Sequence, residues 1–90
     1  MSFGETLESL RLRSGRSKYR LAQISGITEP YILRLENGER SNPSRNVVLI
    51  LGLALLMGSE ALDIWDVDVL LLSAGYAELR RRGDPPAAAA

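Results

Sequence analysis

Between Leu10 and Arg45 the chain carries eight cations, Arg11, Arg13, Arg16, Lys18, Arg20, Arg34, Arg40 and Arg45, against only Glu29, Glu36 and Glu39. From Asn46 to Leu79 the balance inverts: Glu60, Asp63, Asp66, Asp68 and Glu78 are present and no cation is. A formal net charge of +0 conceals this division. A basic half beside an acidic half suits a polyanion on one side and something else on the other. The plainer reading is scattered, solvated charge.

Other chemistry is sparse. The sequence has no cysteine and no histidine. Thiol catalysis, disulfides, thiolate or imidazole zinc sites and a histidine base are therefore excluded. Asp63, Asp66 and Asp68 lie close together, but they read more simply as the capping and first-turn acids of a helix. No catalytic residue, cofactor, metal site or small-molecule substrate is expected, and the chain does not read as an enzyme. The first residues, Met1-Ser2-Phe3-Gly4-Glu5, do not form a basic start followed by an apolar run, which points to a cytoplasmic protein.

Positioning falls to helices. A chain of 90 residues makes one domain at most and is only marginally stable by itself. Phe3, Leu7 and Leu10 recur at helical spacing, and that helix stops near Gly15. Ser17 is suited to cap a second helix whose apolar side is Leu21, Ala22 and Ile24, with Gly26 breaking it. Thr28 caps a third, which ends at Asn37-Gly38 and turns Tyr31, Ile32 and Leu35 inward. After the polar stretch Glu39 to Asn42, Pro43 and Ser44 lead into "SRNVVLILGLALLM". This helix is apolar almost all round, too short for a bilayer crossing of about 20 residues, and so expected to be buried on every face. A fifth helix spans about Ile64 to Ala74 and stops at Gly75. The end, "ELRRRGDPPAAAA", reads as a frayed helix and a disordered tail over 80–90, its "RGD" a chance match.

Helix, a short turn containing glycine, helix: the pattern from Lys18 to Leu35 has helix-turn-helix spacing. Ala22 is small where two helices cross, and Leu21, Ile27, Ile32 and Leu35 pin the second of them. The residues "LAQISGIT…YILRLENGER…NPS" also resemble the Cro and phage-repressor (XRE) type of helix-turn-helix domain. The resemblance covers about Phe3 to Met57, and "IxxLENGxR" is its most specific part. "LLLSAGYAEL" is similar, more weakly, to segments that follow this domain in some bacterial regulators. It implies an all-α, lambda-repressor-like five-helix bundle over 1–79, with a DNA-binding part at 3–57 and a dimerising part at 58–79.

By position, the resemblance implies that the helix from Thr28 to Glu36 lies in the major groove of double-stranded DNA. Glu29, Pro30, Tyr31 and Arg34 would read bases, Arg34 through two parallel bonds to guanine. Ser17, Lys18, Asn37, Arg40 and Arg45 would hold phosphates. Arg11 and Glu36 match a pair that forms an internal ion bridge in this family. Pro30 falls in the first turn, where a missing N–H costs nothing. Family members often carry amides or hydroxyls where Glu29 stands. Glu29 either accepts from cytosine, repels phosphates, or only favours its helix N-terminus.

Val47, Ile50 and Leu53 form an apolar stripe at positions usually polar in this family, and Val69 and Leu72 add to the surplus on the fifth helix. The fifth helix or a second chain must cover that stripe. The surplus points to a homodimer through the C-terminal helices, with a monomeric bundle as the alternative. The expected function is sequence-specific transcriptional regulation, most simply repression at a palindromic site. The other reading is an antitoxin-like module that binds a partner through the same helices.

Overall fold

Five side chains set the starts of five helices. Ser2, Ser17, Thr28, Ser44 and Asp63 each accept a hydrogen bond from a backbone N–H two or three residues ahead, at 3.0 to 3.4 Å. Each such cap is worth about 1 kcal/mol. The computed structural model describes residues 1–80, and the helices are α1 (Phe3–Arg13), α2 (Lys18–Ser25), α3 (Glu29–Glu36), α4 (Arg45–Leu56) and α5 (Ile64–Ser73). No strand occurs among the described residues. The all-α, five-helix globule expected from the sequence is the one observed. The tail from 81 on, with its "RGD", lies outside the described residues.

Two of the starts are reciprocal. The Ser2 N–H donates to Glu5 Oε1 at 3.0 Å, and the Asp63 N–H donates to Asp66 Oδ2 at 2.9 Å. In the first box, the bonds from the Ser2 backbone and then its hydroxyl hold the Glu5 carboxyl below the usual carboxylate range. Gly26, at φ 76°, closes α2 in a left-handed conformation that other residues rarely adopt.

The core gathers Leu7, Leu21, Ile32, Leu35, Val48, Leu51, Leu55, Leu70 and Leu71 from all five helices. α1 packs on α3 and α5, α2 on α3 and α4, and α4 on α5. Two glycines allow close crossings. A Cβ at Gly4 would lie 2.4 Å from the Leu35 carbonyl oxygen, and one at Gly52 would lie 3.0 Å from Val67 Cγ1.

Three sequence expectations change in three dimensions. First, α4 is not buried all round. Its neighbours cover Val48, Leu51, Ala54 and Leu55, whereas Ile50 and Leu53 remain 41% and 46% exposed. α5 seats on the Gly52 side and leaves the opposite face open. Second, Arg16 leaves the basic surface. Its guanidinium donates to the carbonyls of Ala54 (3.1 Å), Leu55 (2.6 Å) and Met57, so a cation closes the negative end of α4. Third, Asp68 is not a first-turn acid but stands in the second turn of α5. It is buried, accepts from the Leu79 N–H at 2.7 Å and faces Arg80, which stacks on Trp65. The hydroxyl of Tyr76 donates to the Pro43 carbonyl at 2.7 Å, fastening the end of α5 to the start of α4.

Candidate nucleic-acid interface

On an α-helix, residues at i, i+1, i+4, i+5 and i+8 share one side. In α3 and its cap these are Glu29, Pro30, Leu33, Arg34 and Asn37, and all five are exposed. Behind them Ile32 and Leu35 are fully enclosed in the core. Tyr31 stands on the flank, half-buried, where it joins Glu39, Arg40, Ser41 and Asn42 around a shallow recess of about 260 Å³. Leu33, 48% exposed, was not among the residues singled out from sequence. Its phase opposite Ile32 and Leu35 was the available signal.

The helix is held from behind by charge as well as by packing. Arg11, buried on α1, meets the Glu36 carboxylate with two bonds, Nε at 2.6 Å and Nη2 at 3.0 Å. Its Nη1 donates to the Arg16 carbonyl at 2.9 Å. Donating to Glu36 raises the guanidinium's pKa above its already high ordinary value, so this cation is permanent. Side-chain exposures of 7% and 3% keep the pair out of bulk solvent. Losing one partner of such a pair costs about 3–5 kcal/mol.

Around α3 lie the other polar groups named from sequence. The Ser17 hydroxyl is occupied by the Arg20 N–H at 3.0 Å. The remaining first-turn N–H groups of α2 have no intrahelical carbonyl to bind. Lys18 Nζ stands 4.0 Å from Glu36 Oε1, part-way exposed. Arg40 and Arg45, the latter the first residue of α4, are exposed, with no carboxylate within ion-pairing distance among the described residues. Asn37 is engaged by Glu39: its Oδ1 accepts the Glu39 N–H at 2.9 Å and its Nδ2 donates to Glu39 Oε1 at 3.2 Å. Arg34 Nε lies 3.8 Å from Glu39 Oε2. No group of three metal-ligating side chains occurs among the described residues, and none of the helices described is long and apolar enough to cross a membrane.

A family model described as a helix-turn-helix domain matches residues 2–62, the segment that holds this exposed helix and the glycine-closed helix before it. The chain belongs to the helix-turn-helix domain family, of the XRE type. No curated protein and no solved structure matches it. A helix-turn-helix domain implies binding to DNA. The matched segment takes in α1 to α4 and ends at Leu62, before the first residue of α5. The buried Asp68 and the exposed Trp65, Val69 and Leu72 therefore belong to a helix outside it.

Proposed function

We propose that the chain is a sequence-specific transcriptional regulator, most simply a repressor, which binds a palindromic DNA site as a homodimer. The observation that carries this reading is the exposed face Glu29, Pro30, Leu33, Arg34 and Asn37 on a helix immobilised by Ile32, Leu35 and the Arg11–Glu36 pair. Arg34 reads guanine with its paired donors, Pro30 and Leu33 offer apolar contact to thymine methyls, and Glu29 accepts from cytosine N4. Ser17, Lys18, Asn37, Arg40 and Arg45 hold phosphates and fix the register. Tyr31, on the flank, supports the backbone side of the contact. Ile50 and Leu53 on α4, with Val69 and Leu72 on α5, supply the surface for the second copy, and half-buried Val47 borders it. A two-fold pair then sets two copies of α3 about 34 Å apart.

Selection from a random duplex pool, followed by fluorescence anisotropy at two salt concentrations, tests the proposal. A palindrome with half-sites one turn apart and a steep salt slope is expected. Sedimentation of wild type and of Leu53→Asp with Leu72→Asp gives the dimer its own test, with the variant expected as a monomer. Absence of enrichment and of binding at low salt would refute the DNA reading. The exposed apolar residues of α4 and α5 would then favour the second reading, a module that binds a protein partner through those helices.

A further inference from the structure

Glu39 is an acid in the middle of a surface that the proposed function assigns to DNA. It follows Gly38, whose φ of 87° turns the chain back on α3, and the Arg40 N–H closes this turn on the Arg34 carbonyl at 3.0 Å. One carboxylate thereby meets two residues of the face. Oε1 accepts from Asn37 Nδ2 at 3.2 Å, and Oε2 lies 3.8 Å from Arg34 Nε. With side-chain exposures of 52% for Arg34 and 65% for Glu39, the ion pair contributes little to folding. A carboxylate close to phosphates also opposes binding. Neither folding nor general affinity accounts for it.

We propose that Glu39 is a positioning residue that sets specificity through Arg34; the inference rests on the DNA-binding reading above. The carboxylate stands at the Nε side of the guanidinium, which leaves the two terminal amino groups as the free end of the fork. Those two groups make the parallel bonds to guanine O6 and N7. Arg34 reaches guanine with the Glu39 pair intact. To swing onto a phosphate it must abandon Glu39. The carboxylate thus disfavours the non-specific complex and orients the specific one. Asn37, bonded to Glu39 through both its amide nitrogen and its oxygen, fixes the carboxylate's place in the turn.

The test measures binding of four full-length proteins, wild type, Glu39→Gln, Arg34→Ala and the double variant, to the selected duplex and to a random duplex at one salt concentration. Glu39→Gln is expected to weaken the selected complex and tighten the random one. Their ratio falls about fivefold, the low end of what a bidentate guanine contact is worth. In the Arg34→Ala background the same substitution leaves the ratio unchanged, because the residue through which it acts is gone. An unchanged ratio in the wild-type background, or an equal fall in both backgrounds, overturns the proposal. A merely repulsive Glu39 would tighten both complexes alike and so gives the first of those results. Wild-type protein that binds neither duplex refutes the DNA reading itself, and this inference with it.

Discussion

Substituting Gly4 by alanine brings a methyl group against backbone that cannot move alone. The added Cβ would stand 2.4 Å from the Leu35 carbonyl oxygen and 2.7 Å from that of Glu36. Carbon and oxygen settle at about 3.3 Å even in favourable contacts, so α1 and α3 must part by roughly 0.9 Å. Two effects oppose each other. Alanine gains about 0.5–1 kcal/mol over glycine in a helix interior, and no more than that at Gly4, the second residue of α1. Overpacking costs about 1–3 kcal/mol and falls at the upper end here, since both obstacles are backbone atoms. Overpacking wins, with a net loss of about 2 kcal/mol. For a domain of this size that lowers Tm by roughly 8–16 °C.

Gly52→Ala is the comparison. Its Cβ would meet Val67 Cγ1 at 3.0 Å, a side-chain end that can shift by a few tenths of an ångström. The gain in helix propensity nearly offsets that strain, so its Tm stays near wild type. Urea denaturation and thermal melting of both variants distinguish the cases. A Gly4→Ala cost no greater than that of Gly52→Ala would refute the backbone obstacle at Gly4. Gly4→Ala also moves α3 against Ser17 and Arg45, so DNA affinity is expected to fall even at temperatures where the variant remains folded.

Two charged side chains that tie helices together give further outcomes. Arg16→Ala leaves the carbonyls of Ala54, Leu55 and Met57 without their cation and is expected to cost about 2–3 kcal/mol in urea denaturation, with the salt dependence of DNA binding unchanged. A shallower salt slope would show that Arg16 touches phosphate instead. Glu36→Gln strips the charge from the carboxylate that holds Arg11 and is expected to cost about 3–5 kcal/mol, measured the same way. A loss below about 1 kcal/mol would mean that the pair is solvated.

Helix starts were readable because they are local. Ser17, Thr28 and Ser44 cap helices by reaching a backbone N–H three residues ahead, and Gly26 breaks α2 through its own backbone angle. Ile32 and Leu35 face inward as their spacing requires, and the same phase turns Glu29, Pro30 and Arg34 outward. What escaped depends on neighbours far along the chain. Arg16 finds its carbonyls about 40 residues away, on α4. Asp68 is buried because the segment after α5 folds back on it, and nothing in the residues beside it signals this. Gly4 gives no local sign that α3 will cross above it. The apolar excess of α4 was visible in the letters, but its exposed side depends on where α5 seats.

The charge division of the sequence survives in altered form. Of the eight cations between Leu10 and Arg45, Arg11 is spent on Glu36, Arg13 faces Asp66 at 3.3 Å, and Arg16 turns toward α4. Arg34 stands beside Glu39, and Lys18 is at the outer limit of ion-pairing distance from Glu36. Arg20, Arg40 and Arg45 alone have no carboxylate within ion-pairing distance among the described residues. A count of charges along the chain therefore overstates the positive field that DNA would meet. A weak field lowers affinity for every sequence, because non-specific binding is almost wholly electrostatic. Contacts to bases do not depend on that field. On the proposed function, few free cations and an Arg34 oriented by Glu39 would give up general affinity and keep discrimination, and the proposed pairing of two copies would recover the affinity that one lacks.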